Sequence, residues 1–281
     1  MRARKVRRVP TVEYAHKALR KHFGNLRPEQ LSLPLLSRFR EQYNYVPAML
    51  REYLLEMKTT LQMAVNHNII DRAPPILLPP KSPPRDRFLT KKEAEALWNA
   101  AYSAHVKLFI QLSLVTGARK EALLQLTWDR VNLIDARIDF NDPNRPITNK
   151  RRPLSPITQE TVATLKTAKQ FAETSHVIEF NGKPLKDIKK GFALAAQKAG
   201  LEGVTPHTLK HTAISWLAQG GRPIEGISAM TGTNANTVRR IYQKFAPEYL
   251  QEEAEILAKA TSFATQFAKL TETSPDTEGA Q

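Results

Sequence analysis

Three short segments of this 281-residue chain carry side chains that can act together on a phosphodiester. TGAR ends in Arg119, HTLKH begins at His207, and one tyrosine, Tyr242, lies in NTVRRIYQKF. A tyrosine hydroxyl can attack phosphorus and form a covalent phosphotyrosyl link. The attack builds negative charge on the non-bridging oxygens, which arginine neutralises well because its planar group donates two parallel hydrogen bonds. A histidine can donate to the same oxygens, so this set predicts strand cleavage without a metal.

Each of these residues also has an ordinary structural interpretation. Arg119 after Thr-Gly-Ala can simply cap a helix, and Tyr242 alone is typical of an amphipathic helix, but their order along the chain favours catalysis. His207 and His211 are four residues apart, a spacing that zinc sites use. The sequence shows neither the glutamate of an H-E-x-x-H motif nor an evident third ligand, so we predict no metal. We expect His211 to hydrogen-bond within the fold.

Composition favours a nucleic-acid partner. The formal net charge is +15 and the pI is about 10.0, a balance typical of proteins that bind polyanions. Residues 1–87 hold 17 lysines and arginines against 7 acidic residues, whereas the remaining 194 residues hold 25 against 20. A solvated basic surface is the alternative to nucleic acid. The chain has no cysteine, which excludes disulfides, thiolate zinc sites and cysteine nucleophiles.

The short apolar runs exclude a membrane span, and the basic start differs from a secretory signal. No apolar run reaches the roughly 18 residues that a membrane span needs, so we predict no membrane partner. The start, MRARKVRRVP, is not followed by an apolar stretch, unlike a secretory signal. We predict that residues 1–12 form a basic arm along phosphates, or else a disordered terminus. Its predicted DNA contacts are Arg2, Arg4, Lys5, Arg7 and Arg8.

Residues 13–72 carry apolar residues at three- and four-residue spacings, which predicts a helical domain. Basic residues fall between the apolar positions, so they can share an outer face that meets DNA. These predicted contacts are Arg38, Arg40, Arg51 and Lys58. Six prolines follow within APPILLPPKSPP, a composition that excludes helix and predicts an extended linker over residues 73–87.

A second domain is predicted over residues 88–262. Thr90 and Glu93 form a capping-box pattern ahead of an apolar helical run. The period changes within residues 131–155, where VNLIDARIDF alternates and RPITNKRRPLSPI returns after a turn, which predicts a small antiparallel sheet with basic residues at its tip. HVIEF, residues 176–180, is a further predicted short strand. Most other runs are predicted helices, and residues 263–281 are polar enough to predict a disordered tail. The expected fold is mainly α with a small antiparallel β-sheet.

The three segments resemble the conserved boxes of the tyrosine recombinase, or phage integrase, family. TGARKEALLQLTWDRVNL resembles its first-arginine box, PHTLKHTAISWLAQGG its H-x-x-R box, and ISAMTGTNANTVRRIYQKFAPEYL its nucleophile box. The resemblance covers residues 13–262. It implies a helical core-binding (SAM-like) DNA-binding domain in residues 13–72 and a DNA breaking-rejoining catalytic domain in residues 88–262.

The resemblance also implies a role for each matched residue. Arg119 would hold the scissile phosphate, His207 would donate to it or move a proton, and Tyr242 would be the nucleophile. Lys150 in ITNKRRPL matches the general acid that protonates the leaving 5′ oxygen. Its basic neighbours, and the pair before the tyrosine, are expected to contact DNA phosphates. These residues are Arg151, Arg152, Arg239 and Arg240.

Two positions depart from the family pattern. Lys210 stands where the family has its second arginine, so a planar, two-pronged phosphate contact becomes a point charge. Losing such a transition-state hydrogen bond costs roughly 100-fold to 1000-fold in rate. Thr233 stands where histidine or tryptophan is usual, and its hydroxyl can still donate although it lacks a ring. These replacements motivate an alternative, a binding protein that has lost strand exchange.

The resemblance implies a site-specific recombinase or integrase of a prophage or other mobile element, acting on double-stranded DNA through a 3′-phosphotyrosyl intermediate. It implies no cofactor, neither metal nor nucleotide. Two basic domains would close around the duplex, and four protomers would assemble on two sites, with a directionality or accessory factor as a further partner. The expected location is the bacterial cytoplasm, in association with the nucleoid.

Two other functions stay open from the sequence. One is a regulator or architectural factor that keeps the recombinase scaffold and DNA binding without cleavage. The retained Tyr242, Arg119 and His207 favour the enzyme, since a binder has no chemical use for them. The other is relaxation like that of a type IB topoisomerase, which shares the catalytic fold, although the small N-terminal helical domain favours a recombinase. We also expect no separate N-terminal arm-binding domain.

Overall fold

The protein divides into two compact units, Met1–Arg85 and Asp86–Gln281. The computed structural model describes residues 9–42, 47–81, 87–143 and 153–243. The division falls inside the proline-rich segment, where the missing N–H and the fixed backbone angle of proline prevent a helix from continuing. No helix within these described ranges is long and apolar enough to cross a membrane.

The described part of the first unit is helical, as the spacing of its apolar residues predicts. Its helices are α1 (Val9–Phe23), α2 (Leu33–Gln42) and α3 (Pro47–Asn66), with a 3-10 turn at Pro28–Gln30. Helix α1 packs along α3, and the apolar faces of all three meet in one core. Members of this core include Leu19, Phe23, Leu36, Phe39 and Leu54.

The described part of the proline-rich segment packs back on the first unit. Ile76 is buried in the core of that unit, and Leu78 packs against it. Arg40 Nη2 donates to the carbonyl of Leu77 at 2.7 Å, and Arg51 Nη1 donates to the carbonyl of Pro79. Proline-rich backbone has few N–H groups for a ladder but keeps its carbonyl acceptors, so arginine side chains are suitable partners.

The second unit is built around a buried helix. Its helices are α4 (Lys91–Ala100), α5 (Ala104–Thr116), α6 (Lys120–Leu124), α7 (Gln159–Gln170), α8 (Lys189–Lys198), α9 (Pro206–Gln219) and α10 (Ile224–Thr231), and residues 235–243 are also helical. Helix α5 is apolar on nearly all sides, with Phe109, Ile110 and Leu112 fully buried, as expected for a central helix. It contacts α9 most extensively and also packs against α4 and α6.

The predicted capping box at the start of α4 is confirmed. The backbone N–H of Glu93 donates to Thr90 Oγ1 at 3.2 Å, and the backbone N–H of Thr90 donates to the Glu93 carboxylate at 2.8 Å. Arg87 Nη2 bonds to the same carboxylate at 2.5 Å, and this hydrogen bond lowers the pKa of Glu93 to about 2. Leu89, the residue before this N-cap, donates from its backbone N–H to Thr212 Oγ1. This hydrogen bond anchors the segment that leads into α4 to helix α9.

A small antiparallel sheet interrupts the helices, so the predicted mainly α fold with a small sheet is confirmed. Its strands, in spatial order, are β1 (Val131–Asn132), β2 (Arg137–Asp139) and β3 (Leu154–Pro156). Ile138 on the middle strand is fully buried in the main core. A separate two-stranded hairpin follows, β4 (Glu179–Phe180) and β5 (Lys183–Pro184).

The structure differs from the sequence prediction at two turns. VNLIDARIDF was expected to be one alternating strand, but it splits because Asn132 Oδ1 accepts from the backbone N–H groups of Ile134 and Asp135, which forms a turn. HVIEF was expected to be a single strand, yet its first residue forms an isolated bridge with Thr127 and only its last two residues pair with β5. Asn181 and Gly182 join them at φ values of 50° and 65°, the Asn-Gly signal of a tight hairpin.

Candidate active site

Arg119 lies just after the end of α5, at the start of α6. Helix α5 ends at Gly117, whose φ of 59° is left-handed and suits a residue without a side chain. Thr116 fixes this turn, since its hydroxyl donates to the carbonyl of Leu112 at 2.6 Å and accepts from the N–H of Ala118 at 3.2 Å. Arg119 is the N-cap of α6 and is partly buried. The buried helix therefore sets the place of this guanidinium group.

Helix α9 supplies two more basic side chains. Its N-cap, Thr205, donates from its N–H to Thr208 Oγ1 at 3.0 Å, and Pro206 occupies the first turn, where a missing N–H costs nothing. His207 lies in this first turn and is exposed, whereas Lys210, three residues later, is only 5% exposed. Lysine is seldom buried this completely unless its amine is paired.

The amine of Lys210 is bonded to two backbone carbonyl groups. Nζ donates to the carbonyl of Gly117 and to the carbonyl of Thr231, each at 2.6 Å. Burial, followed by the charge of Arg119, lowers the pKa of Lys210 to about 7. The family resemblance implies a phosphate contact for this residue, whereas the structure directs its amine at the backbone.

His207 and His211 form a pair on α9. Their Nε2 atoms are 3.1 Å apart, so one ring donates the proton that the other accepts, and the rings lie edge to face at 84°. Although His207 is solvent-exposed, the surrounding protein displaces part of its water, and this lowers the pKa of the ring. The charges of Lys210 and then Arg119 act in the same direction. His207 is therefore neutral at pH 7 and able to accept a proton.

Thr233 follows a second helix that ends in a left-handed glycine. Helix α10 ends at Gly232, with φ of 61°, and Thr233 beyond it is 6% exposed. The hydroxyls of Thr233 and Thr231 are 2.9 Å apart, and the Thr231 hydroxyl is 2.8 Å from the carbonyl of Ile227. A carbonyl can only accept, so the one proton of Thr231 goes there, and Thr233 donates to Thr231. The Thr233 hydroxyl is thus bonded within the fold.

The hairpin predicted to carry the general acid is attached to the same corner. Ser155 Oγ on β3 donates to the carbonyl of Met230 at 3.2 Å, one residue before Thr231. Strand β3 is the returning strand of that hairpin, so its base lies beside the end of α10. The basic residues expected at its tip, Lys150, Arg151 and Arg152, lie outside the described residues.

Tyr242 lies in the helical residues 235–243 and is partly buried. Its ring packs against a small cluster formed by α9, α10 and its own helix, whose buried members are Ile214, Ala218, Ile227 and Val238. Ile214 is seven residues after His207 on α9, which is about two helical turns. The structure thus brings Arg119, His207 and Lys210 together and places Tyr242 against the later turns of the same helix.

The residues expected to contact DNA phosphates differ in their surroundings. Arg38 and Lys58 are exposed on the first unit, whereas Arg40 and Arg51 bond to the proline-rich segment. Arg239 and Arg240, also exposed, reach Asn236 Oδ1 at 3.0 Å and Thr237 Oγ1 at 3.4 Å on their own helix. Residues of the basic start lie outside the described residues, namely Arg2, Arg4, Lys5, Arg7 and Arg8.

The sequence reasoning missed the backbone groups that organise this site. The carbonyls of Gly117 and Thr231 receive Lys210, and an added Cβ at Gly117 would lie 2.7 Å from Thr231 Cγ2, so the two helix ends touch. One signal was available, because the dipeptide Thr-Gly occurs at 116–117 and again at 231–232. A glycine after an apolar helical run is typical of a left-handed helix end.

Comparisons with known proteins agree with the family resemblance of the three segments that carry Arg119, His207 and Tyr242. The family model described as the Phage integrase family matches residues 87–248. An integrase of Salmonella phage P22 is 26% identical over 201 residues, covering 66% of this chain and 51% of its own. An integrase of Streptomyces ambofaciens is 28% identical over 204 residues, covering 61% and 52%. This chain thus spans about half the length of these curated relatives.

The fold is also similar to that of a solved structure. The integrase of the Tn1549 transposon, in complex with transposon right end DNA, superposes with a TM-score of 0.73. The match covers 90% of this chain and 96% of that chain at 16% sequence identity. At this identity the similarity establishes the fold and leaves the chemistry to the residues themselves.

Proposed function

The chain belongs to the phage integrase family, and from this premise we propose that it is a site-specific DNA recombinase. It cleaves and rejoins double-stranded DNA through a 3′-phosphotyrosyl intermediate on Tyr242. It exchanges strands between two sites and acts in the movement of a prophage or another mobile element. The integrases that it resembles, and the DNA in the Tn1549 complex, support this direction.

The observation that carries the proposal is the convergence of Arg119, His207 and Lys210. Burial is the largest cause of the lowered pKa values of His207 and Lys210, and the charge of Arg119 lowers both further, as it does only where the groups lie near one another. Gathering like charges where water is partly excluded is unfavourable for the empty site, and an anion bound there relieves that repulsion. A phosphate of the DNA backbone is an anion of suitable size for a group of arginine and histidine donors.

The proposed cleavage step begins when Tyr242 Oη attacks phosphorus and the bond from phosphorus to the 5′ oxygen breaks. The phenol proton passes to a base, for which the neutral ring of His207 is suited, and Lys150 protonates the leaving oxygen. Arg119 stabilises the charge that develops on the non-bridging oxygens. The phosphotyrosyl link conserves the bond energy, so a 5′ hydroxyl of a partner strand can attack it and rejoin the DNA.

DNA binding by both units is part of the proposal. The exposed Arg38 and Lys58 on the first unit, and Arg239 and Arg240 near the nucleophile, are proposed to contact phosphates. Such contacts position the protein without reading sequence. Arg40 and Arg51 are weaker candidates, because each already donates to the proline-rich segment.

We further propose that four protomers assemble on two DNA sites, because exchange requires four strand cleavages. The protein would act in the bacterial cytoplasm in association with the nucleoid. We also propose that strand exchange in one direction needs an accessory factor. The test is to compare strand exchange in the two directions with the purified protein alone.

The proposal is tested by recovering covalent protein–DNA complexes from cells that express the chain and sequencing the attached DNA. We expect one enriched site, and we expect duplexes carrying that site to exchange strands with the purified protein. Tyr242→Phe is the control, since it keeps the ring and removes the nucleophilic oxygen. DNA that is enriched without a covalent link would instead indicate a regulator or architectural protein. Covalent links spread over many sequences, with relaxation of plasmids, would indicate a topoisomerase.

A further inference from the structure

We propose that Lys210 is a positioning residue whose amine joins the ends of α5 and α10 and so holds Arg119 in place, without touching the scissile phosphate. The inference rests on the proposed function for the role of Arg119 in cleavage. It departs from the family pattern, in which this position supplies an arginine to the phosphate, and it gives the lysine a different task.

The first support is the geometry of the amine. Both carbonyl oxygens lie 2.6 Å from Nζ, at the short end for such bonds, and the side chain is 5% exposed. Two of the hydrogens on Nζ are therefore used inside the protein. An arginine at this position would carry a longer, planar group, whereas an amine can donate to acceptors from two separate elements at one point.

The second support is where these acceptors lie. Gly117 is the C-terminal cap of α5, and Thr231 is the last residue of α10. Carbonyl groups at helix C-termini have no partner within the helix and carry a partial negative charge. Lys210 thus satisfies, at each of two helix ends, one buried carbonyl that has no partner within its helix. Both forms of the amine can do this, because a neutral amine still has two N–H groups.

The third support is the position of Arg119 and Thr233 relative to the bonded residues. Each lies two residues after one of them, Arg119 after Gly117 and Thr233 after Thr231, just beyond a left-handed helix end. The two turns also touch, since the Cβ position of Gly117 is 2.7 Å from Thr231 Cγ2. Moving one turn therefore moves the other. Without the amine, we expect both turns to loosen and the Arg119 guanidinium to lose its fixed place.

The test is a double-mutant cycle on single-turnover cleavage of a nicked duplex that traps the covalent product. Lys210→Met removes the donors and keeps much of the side-chain volume, and Arg119→Ala removes the group that Lys210 is proposed to position. We expect Lys210→Met to lower the cleavage rate constant by about 100-fold, as a misplaced catalytic group does. In the Arg119→Ala background it should add less than about twofold, because two residues that act as one unit are not additive.

Three measurements separate positioning from general loss of structure. The amplitude of the cleavage phase reports the folded fraction and should stay near that of the wild type, while the rate constant falls. Lys210→Arg, whose longer planar group does not match two carbonyls that meet at one point, should cleave no faster than the wild type. Lys166→Met makes the same chemical change at an exposed position of α7 and should have no effect. Losses that multiply in the double variant, or a faster Lys210→Arg enzyme, would overturn the inference.

Hydrogen exchange of the isolated protein tests the same inference without DNA. In Lys210→Met, the amides of residues 117–119 and 232–233 should exchange about tenfold faster or more, since buried carbonyls lose their partner and the turns open. Unchanged exchange at both turns would overturn the inference whatever the cleavage result. If Lys210→Met exchanges faster at both turns but the wild-type protein forms no Tyr242 adduct, the link between the helix ends is confirmed. Only the proposed function is then contradicted.

Discussion

Lys210, His207 and Arg119 show how neighbouring residues set the charge state of a side chain. A lysine and a histidine in water would be charged and partly charged at pH 7, but burial and the adjacent guanidinium lower the pKa of each here. Lys210 lies close to half-protonated at neutral pH, and His207 is neutral. A bound phosphate acts in the opposite direction on both groups, so DNA binding and protonation are coupled at this site.

This pKa shift predicts how stability depends on pH. The folded-state pKa of Lys210 is about 7 against an ordinary value of 10.5, so between these values the unfolded chain binds a proton that the folded chain does not. The free energy of unfolding therefore rises with pH across that window. Relative to Lys210→Met, the wild type should gain about 2 kcal/mol between pH 7 and pH 9, since each unit is worth at most about 1.4 kcal/mol.

Urea unfolding at pH 7, 8 and 9 measures this difference. Arg119 stays charged throughout, and His207 is already neutral above pH 7, so neither facing group obscures the result. Lys166→Met, whose side chain is exposed, should show no such trend against the wild type. A difference between wild type and Lys210→Met that stays flat or falls with pH would contradict the shift.

At the residue scale, the sequence predicted the side chains of the site but not the partners of one of them. Arg119, His207 and Tyr242 follow from residue type, spacing and resemblance. For Lys210 the same reasoning predicted a phosphate contact, whereas the structure shows that the acceptors of its amine are backbone carbonyls. Their availability depends on two turns whose approach to each other is a tertiary property that no local pattern encodes.

At the scale of elements, two helix ends meet and form the corner on which the site is built. Helices α5 and α10 each end in a left-handed glycine, α9 crosses both through Lys210, and β3 joins through Ser155. The capping box of α4 and most helices were predictable because they depend on local chemistry and apolar spacing. The split of the first strand was not predicted, since an alternating pattern hid the turn at Asn132.

The contact between the two turns predicts a large effect of Gly117→Ala. An alanine there must adopt φ near 59° and place its Cβ 2.7 Å from Thr231 Cγ2. Gly200→Ala is the matched control, because φ is 67° and no atom lies within 4 Å of the added Cβ. Denaturant unfolding should show a loss of about 1 kcal/mol at Gly200 and about 1–3 kcal/mol more at Gly117.

A second variant identifies the cause of that extra loss. Thr231→Ser removes the methyl group that meets the added Cβ and keeps the hydroxyl and the carbonyl. Combined with Gly117→Ala, it should recover most of the excess, leaving a loss like that at Gly200. Equal losses for the two single alanine variants would show that the turns do not pack as described.

At the scale of the whole molecule, charge is the property that most clearly points to DNA. The net charge of +15 is concentrated in residues 1–87, yet not every arginine there is free to act on phosphate. On α2, Arg38 is exposed, while Arg40 donates to the carbonyl of Leu77. Sequence spacing placed both on one outer face and could not separate them, since the fold of the proline-rich segment decides their roles.

Salt dependence of duplex binding separates these two arginines. In a Tyr242→Phe background, which prevents cleavage, the logarithm of the association constant should fall steeply and linearly with the logarithm of salt concentration. Arg38→Gln should reduce the slope by about 0.9, the value for one phosphate contact on B-form DNA. Arg40→Gln should leave the slope unchanged. A flat salt response in the parent protein, or equal changes in both variants, would contradict this division of roles.

The central claim is that the Tyr242 hydroxyl becomes covalently linked to a DNA 3′ phosphate. The most direct measurement is mass spectrometry of peptides from adducts trapped on a nicked duplex in the presence of a metal chelator. We predict that the nucleotide remnant lies on the peptide containing Tyr242, that Tyr242→Phe abolishes the adduct, and that Tyr249→Phe retains it. An adduct on another residue, or none at saturating protein on the sequenced site, would contradict the account.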